Sequence, residues 1–327
     1  MHDVKFGLFL PTGDFAAAKQ VALRAEDDGF YSVSINDHFF SPLGAPQVPQ
    51  LECFTTLTAV AAVTSRIRLT PTVTAASFRP PPLLAKMTST LDQVSNGRLV
   101  LGLGAGWQQS EYDAHGYAYP SNAERLAQMA EAIQVLKAMW TQAEPTFHGQ
   151  YYTIDKAYNN PRPVQQPRPP LMLGGSGSGL LKIAAVEADI LNIIPPIFNG
   201  KDFVNDPVAT VAFDRAQLKR RIDMFRKYVG EVGRDPQSIE LGGMVMLCLS
   251  NTVDDPRFGK IASRLGFPDV ETARRSPLLC MGTPDEVRRD LTTRIEDLGI
   301  TYFVFIATSA DTQALFVKHV MPEFVSR

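Results

Sequence analysis

The chain has 327 residues, of which 45% are hydrophobic, and a formal net charge of −2, so it can bury a full core in one large domain or two ordinary ones. A near-neutral chain does not attract nucleic acid or anionic lipid by bulk charge, and no run reaches the ~20 apolar residues of a membrane span. Residues 1–5 lack the basic and apolar run of a signal peptide. Three scattered cysteines, Cys53, Cys248 and Cys280, show no disulfide or metal spacing. These features predict a cytoplasmic protein without a nucleic-acid or membrane partner.

Apolar runs typical of strands alternate with amphipathic helical patterns along the chain. The predicted strands cover residues 4–10, 31–35, 67–74, 98–103, 170–173, 189–194, 241–249 and 302–306. The predicted helices include residues 16–28, 54–64, 83–94 and 214–229, and two more begin at the capping motifs Ser121 to Glu124 and Thr283 to Glu286. This alternation favours a single α/β domain over residues 1–327, a closed (β/α)8 TIM barrel, over an open doubly wound sheet.

Two segments are too long and irregular to be simple loops. Residues 144–170 are rich in proline around an apolar and aromatic patch at 147–154, and we predict a hairpin-bearing insertion after strand 4. Residues 251–277 form a second predicted insertion, after strand 7. Long insertions in a barrel usually lie at its C-terminal face and close over the site.

The predicted strand ends carry the candidate site, because a barrel builds its active site there. Asp37 and His38 follow strand 2; the pair suits proton transfer or hydrogen bonding to a heterocycle, or alternatively caps and packs a loop. Small residues at 71–77, followed by prolines at 80–82, form a wall for a flat ligand or simply a stiff loop.

Two glycine-rich segments follow strands 4 and 5. Gly102, Gly104 and Gly106 alternate before Trp107, which leaves room for another backbone or for a planar ring. Their spacing does not match the dinucleotide fingerprint G-x-G-x-x-G. The loop at 174–179, Gly-Gly-Ser-Gly-Ser-Gly, opens a predicted helix and offers backbone N–H groups to a phosphate, although it also suits a flexible turn.

The sequence lacks the residues that several other classes of enzyme need for catalysis. The five histidines are dispersed, with no metal-ligand pairing, and there is no G-x-S-x-G nucleophile elbow. A phosphosugar isomerase or aldolase would need a lysine or paired carboxylates at strand ends, and Lys86 and Lys182 lie on predicted helices instead. A phosphate clamp with few reactive side chains suits an enzyme whose cofactor carries the chemistry.

These segments together resemble the luciferase-like monooxygenase superfamily over almost the whole chain. The resemblance rests on Asp37-His38, residues 83–98, the glycine motif with Trp107, Glu111-Tyr112, Gly116-Tyr117, Glu124-Arg125, the loop at 174–177 and residues 281–287. It implies a (β/α)8 barrel that binds FMN or the deazaflavin coenzyme F420 at its C-terminal face, often as a homodimer.

The resemblance also assigns site residues. The cofactor ring would rest on a strand-3 bulge with a non-prolyl cis peptide, here Thr72–Val73, near Ala75, and Ala105, Gly106 and Ser110 would lie beside it. The cofactor phosphate would lie on Gly174, Gly175, Ser176, Gly177 and Ser178.

The branch most similar to this chain comprises F420-dependent oxidoreductases. The resemblance implies that Asp37 contacts the deazaflavin and that His38 manages a proton. The sugar-phosphate dehydrogenases of that branch have a catalytic glutamate where this chain has Trp107, which argues against a glucose-6-phosphate substrate and leaves the proton relay to Glu111 or His115.

We therefore predict an F420-dependent oxidoreductase that exchanges a hydride with a small organic substrate, with His38, Trp107 and Glu111 as catalytic residues and no metal. An FMN-dependent monooxygenase fed by a separate reductase is the alternative, and a non-catalytic flavin-binding barrel is a third possibility. The expected partners are a small-molecule substrate, an F420- or flavin-reducing enzyme and a second copy of the chain.

Overall fold

The computed structural model describes residues 4–42, 45–195 and 206–325, so residues 1–3 of the chain start considered above lie outside the described residues. The strands are β1 (Lys5–Phe9), β2 (Ser32–Ile35), β3 (Arg68–Pro71), β4 (Thr74–Ala75), β5 (Leu101–Gly104), β6 (Phe147–His148), β7 (Thr153–Ile154), β8 (Leu171–Gly174), β9 (Ile190–Asn192), β10 (Glu240–Leu249), β11 (Leu279–Gly282) and β12 (Ile300–Ala307). The α-helices are α1 (Phe15–Asp28), α2 (Cys53–Ala61), α3 (Pro81–Ser95), α4 (Gln109–His115), α5 (Asn122–Thr141), α6 (Ser178–Glu187), α7 (Pro207–Ala212), α8 (Arg215–Glu231), α9 (Pro256–Arg264), α10 (Val270–Arg275), α11 (Pro284–Thr293) and α12 (Ala310–His319).

A parallel sheet forms the centre of the described structure. Its strands run in the order β3-β2-β1-β12-β10-β9-β8-β5-β4. The two ends of that order, β3 and β4, are halves of one segment, and a parallel bridge from Leu69 to Leu99 joins β3 to the chain entering β5. The sheet therefore returns to its own start as a barrel, which confirms the closed fold and excludes the open doubly wound sheet.

Both predicted insertions are present. The first contains the antiparallel hairpin β6-β7, with Phe147 opposite Ile154. The second contains α9 and α10 and is followed by β11, which pairs with the C-terminal half of β10. The sequence analysis missed β11 because four apolar residues directly before a helix cap have no period of their own.

The predicted third strand is interrupted. It stops at Pro71 and resumes at Thr74, and the Thr72–Val73 peptide between the two halves is cis, as the resemblance implied. The predicted fourth strand, residues 98–103, begins three residues later than expected, since β5 covers Leu101–Gly104. The Arg98 guanidinium is buried and donates to carbonyl oxygens, among them those of Ala61 and Ile67.

The interruption projects Val73 into the barrel, where glycines make room for it. A Cβ atom on Gly104 would lie 2.8 Å from Val73 Cγ2, and one on Gly174 would lie 2.7 Å from Val73 Cγ1. A Cβ atom on Gly102 would lie 2.0 Å from the carbonyl oxygen of Pro71. The glycines of β5 and β8 therefore accommodate the bulge of the neighbouring strand, the first of the two interpretations left open by the sequence.

The chain entering β3 is fixed from α1. The Glu26 carboxylate accepts hydrogen bonds from the backbone N–H groups of Ser65, Arg66 and Ile67 at 2.6–3.1 Å. Partial burial raises the pKa of Glu26, but these donors outweigh it and lower the pKa to about 2. Helix α1 thereby sets where β3 begins.

Replacing Gly102 by alanine is expected to lower the free energy of unfolding by about 2 kcal/mol or more, because the new methyl group meets a backbone oxygen that cannot move independently. Gly259, in the exposed middle of α9 with open space around it, is the matched control. Its replacement by alanine should change stability by less than about 1 kcal/mol, in the stabilising direction. Urea unfolding of both variants tests this, and equal midpoints would contradict the packing argument.

Glu26→Gln is expected to lose about 1 kcal/mol of stability at pH 7. Because the folded-state pKa lies below the ordinary value of 4.5, the carboxylate contributes stability above pH 4.5, and that contribution is lost as the pH falls toward 2. The stability difference from wild type should therefore shrink over that window. Asp27→Asn, a change at an exposed position of the same helix, is the control; a difference for Glu26→Gln that does not vary with pH would refute the assignment.

Candidate active site

A cavity of about 690 Å³ opens at the C-terminal ends of the barrel strands. Of the residues predicted for the site, it is lined by Asp37, His38, Thr72, Val73, Ala75, Ala105, Gly106, Trp107, Glu111, Gly174, Gly175, Ser176, Gly177 and Ser178. Ser110 is the exception: it is exposed in the first turn of α4 and does not line the cavity. The neighbouring Glu111 points inward instead, because adjacent residues of a helix face different directions.

Asp37 is fixed by a buried ion pair. Arg79 donates from both terminal nitrogens to the two Asp37 oxygens at 2.7 and 2.9 Å, and it also donates to Glu52 at 2.6 Å. Burial raises the pKa of the Asp37 carboxyl, an effect that Arg79 opposes. The backbone N–H of Ala75 also donates to Asp37, at 3.3 Å. Asp37 thus ties the loop after β2 to β4 across the bulge. Sequence analysis did not identify Arg79 as its partner.

His38 pairs with Glu111. The distance from His38 Nδ1 to Glu111 Oε2 is 2.7 Å, and the backbone N–H of Phe39 donates to Glu111 Oε1 at 2.6 Å. Because a carboxylate only accepts hydrogen bonds, Nδ1 is the donor and Nε2 is the ring nitrogen left for the cavity. The Trp107 ring meets the imidazole edge-on, with 5.5 Å between ring centres.

His115, the other predicted candidate for the relay, is placed differently. Its Nδ1 donates to the Glu111 carbonyl oxygen at 2.9 Å, and its exposed ring stacks on Phe39 with 4.2 Å between centres. It therefore supports the rim of the site, and Glu111 is the group in contact with His38.

Side chains of Tyr119 and Arg125 donate hydrogen bonds to the backbone of Gly106 and Trp107. The Tyr119 hydroxyl donates to the Trp107 carbonyl oxygen at 2.8 Å, and Arg125 Nε donates to that of Gly106 at 3.3 Å. A Cβ atom on Gly106 would lie 1.8 Å from the Tyr112 hydroxyl. Burial raises the pKa of Tyr112 to about 12, so this hydroxyl stays protonated at neutral pH.

The loop after β8 has the geometry of an anion site. Gly177 caps α6 without any side-chain hydrogen bond, so the first N–H groups of the helix have no cap. The Ser176 hydroxyl donates to the Ile194 carbonyl oxygen at 2.5 Å and is not available as a donor. Exposed Ser178 and the backbone amides remain for a ligand.

Polar atoms without partners mark where a ligand would bind. Within the described residues, buried Thr74 Oγ1, Gln108 Oε1 and Asn192 Oδ1 have no hydrogen-bond partner, and all three residues line the cavity. Buried polar groups are normally satisfied, so these atoms fit a flat, polar-edged cofactor resting on Val73. Sequence analysis missed them, since single polar residues at strand ends carry no pattern.

The described part of the chain contains neither a cluster of metal ligands nor a helix suited to cross a membrane. Its His, Cys, Asp and Glu side chains form no group of three that would hold a metal ion. None of its helices is both long and apolar enough to cross a membrane. The three cysteines are free and buried.

Comparison with known proteins finds F420-dependent dehydrogenases and a monooxygenase that are similar to this chain. The F420-dependent glucose-6-phosphate dehydrogenase of Kineococcus radiotolerans is 33% identical over 94% of this chain and 92% of its own length. The pyrimidine monooxygenase of Acinetobacter baylyi is 28% identical over 73% of this chain, and the match spans only 65% of that protein. An F420-dependent secondary alcohol dehydrogenase shares the fold, with a TM-score of 0.80 at 22% identity, over 99% of this chain and all of that one.

The family model for luciferase-like monooxygenases matches residues 4–202, which include the strands carrying Asp37, the bulge and the loop after β8. With more than half of its length matched, the chain belongs to the luciferase-like monooxygenase family and is an enzyme of that family.

Proposed function

We propose that the protein is an F420-dependent oxidoreductase acting on a small organic substrate. Two hydrogen-bonded pairs at the end of β2 carry the proposal. Arg79 binds Asp37, Glu111 binds His38, and both pairs lie beside the platform that Val73 forms. The relative from Kineococcus, matched along nearly its whole length, bears the name of an F420-dependent enzyme.

The residues fit the cofactor in three places. Val73 and Ala75 offer a flat support, unpartnered Thr74, Gln108 and Asn192 offer hydrogen bonds to its ring edges, and the loop after β8 offers amides to its phosphate. When bound, the deazaflavin supplies the hydride chemistry. The protein's own part is to hold the ring, exclude water and place a proton carrier beside it.

That proton carrier is His38. Glu111 fixes the imidazole so that Nδ1–H points to the carboxylate and Nε2 is free for a proton of the substrate. Trp107 packs against the ring and restricts its rotation. The family resemblance implies a catalytic glutamate at the position of Trp107 in the sugar-phosphate dehydrogenases, so a tryptophan here argues against glucose 6-phosphate as the substrate.

An FMN-dependent monooxygenase is the second candidate, supported by the match to a pyrimidine monooxygenase. A homodimer and a separate enzyme that reduces the cofactor stay predictions of the family resemblance. The two cofactor assignments differ in an observable way, because only the monooxygenase consumes oxygen.

Quenching of intrinsic tryptophan fluorescence should show F420 binding with a Kd at least about tenfold below that of FMN, a difference of about 1.4 kcal/mol. Trp107 lines the cavity, whereas Trp140 is buried away from it in α5. Most of the quenching should therefore disappear in Trp107→Phe. Equal or tighter binding of FMN, with oxygen consumed by the FMN-reduced enzyme, would establish the second candidate instead.

Glu111→Gln is expected to lower kcat with F420 by about 100-fold or more while leaving the Kd of F420 within about threefold, since general acid–base help contributes factors of this size. The amide keeps an oxygen for the Phe39 N–H but turns an N–H group toward Nδ1, which reverses the hydrogen bond and the tautomer. Asp113→Asn, on an exposed face of the same helix, should leave kcat unchanged. An unchanged kcat in Glu111→Gln would exclude His38–Glu111 as the proton-handling pair.

A further inference from the structure

One cationic side chain of the cavity has no partner among the described residues. The other charged residues of the lining are engaged: Asp37 with Arg79, Glu111 with His38, and Arg125 with backbone carbonyls and the Tyr119 ring, 4.0 Å from its guanidinium carbon. Arg221 lines the same cavity, is partly buried, and makes no hydrogen bond or ion pair with any described residue. A guanidinium that lines an open cavity and has no protein partner is available to an anionic group of a ligand.

The packing of two helices places Arg221 level with the loop after β8. Helices α6 and α8 lie side by side, with Lys182 Nζ 5.5 Å from the centre of the Tyr228 ring and Arg234 donating to the Ala188 carbonyl oxygen at 3.0 Å. Arg221 precedes Tyr228 by two turns of α8, about 10 Å along its axis. Ser178 precedes Lys182 by one turn of α6, about 6 Å. The two helices run in the same direction, so Arg221 lies just beyond the start of α6, at the height of Gly175 to Gly177.

The floor beside this loop is polar as well. Asn192 lies opposite Gly174 in the β8–β9 pairing, and its backbone oxygen accepts from the Gly175 N–H at 3.0 Å. Its side chain is 3% exposed, lines the cavity, and has an amide oxygen without a partner. The Asn192 amide oxygen is an acceptor and is left for a donor on the ring edge. The uncapped start of α6 and the unpaired Arg221 guanidinium are the two features at this end of the cavity that suit an anion.

We propose that Arg221 binds the phosphate group of the cofactor, opposite the backbone amides of the loop after β8. The inference rests on the proposed function only in that a phosphate-bearing flavin or deazaflavin occupies the cavity. Arg221 supplies the charge that the amides lack, and a guanidinium presents paired N–H donors to phosphate oxygens. It acts on binding and takes no part in proton transfer.

The test compares ligands with and without phosphate. F420 and the 5′-phosphate of its core are titrated against the phosphate-free core, 8-hydroxy-5-deazariboflavin, using wild type, Arg221→Gln and Arg221→Lys. Arg221→Gln should raise the Kd of both phosphate-bearing ligands ten- to a hundredfold and leave that of the phosphate-free core within twofold, because a charged hydrogen bond is lost only where a phosphate is present. A loss with F420 but not with the 5′-phosphate would assign Arg221 to the acidic tail of F420 and overturn the proposal. Arg221→Lys should recover part of the F420 affinity. Arg220→Gln, an identical change at an exposed neighbour on α8, should affect none of the three ligands.

Several results would show that Arg221 does not bind the phosphate. An equal loss of affinity for all three ligands would assign Arg221 to the shape of the cavity, and no loss for any of them would assign it to the substrate; both overturn the proposal. If wild type prefers FMN, the F420 assignment fails, but the same comparison with FMN and riboflavin still tests Arg221. Should Arg221→Gln not fold, Arg221→Lys against the same ligands carries the test.

Discussion

The site depends on the insertion of one side chain, Val73, into space that three glycines leave empty. Because β3 breaks after Pro71, Val73 turns into the barrel, and only glycine at 102, 104 and 174 lets the neighbouring strands approach this closely. The same insertion fills the barrel interior and raises a small apolar platform at the mouth. Packing at this point therefore determines both the closure of the barrel and the floor of the cavity.

The titratable residues after β2 are held by partners that are distant in sequence. The loop after β2 carries Asp37 and His38, and each is clamped from a different element: Asp37 by Arg79 from the segment before α3, and His38 by Glu111 from α4. Glu111 also accepts two backbone N–H groups of the same loop, so its charge is satisfied inside the protein. These contacts fix the loop without a ligand, which limits the cost of organising the site on binding.

Sequence reasoning reached the barrel and the two insertions, because strand periodicity and helix caps are local signals, and all but one of the residues it predicted for the site line the cavity. The capping box at Thr283 and the αL glycine at Gly29 appear where they were expected. What it missed depends on three-dimensional contacts. Arg79, Asn192 and Arg221 carry no motif, and the purpose of Gly102 emerges only when Pro71 is seen beside it. Ser110 does not line the cavity, and the sequence could not show this because the direction of each side chain on α4 depends on the exact start of that short helix.

The order of the strands also explains why the wall of the cavity opposite the bulge is apolar. In the barrel, β3 and β4 lie across from β10, so the bulge at Val73 faces Met244 and Met246, which both line the cavity. The His38–Glu111 pair, after β2, and the glycine-rich loop after β8 lie on either side of the line from Val73 to these methionines. The bulge therefore faces flexible, polarizable methionines rather than charged groups. An apolar wall of this kind adapts its shape to what the cavity holds and excludes water from the bulge, while the charged side chains lie at the edges of the cavity.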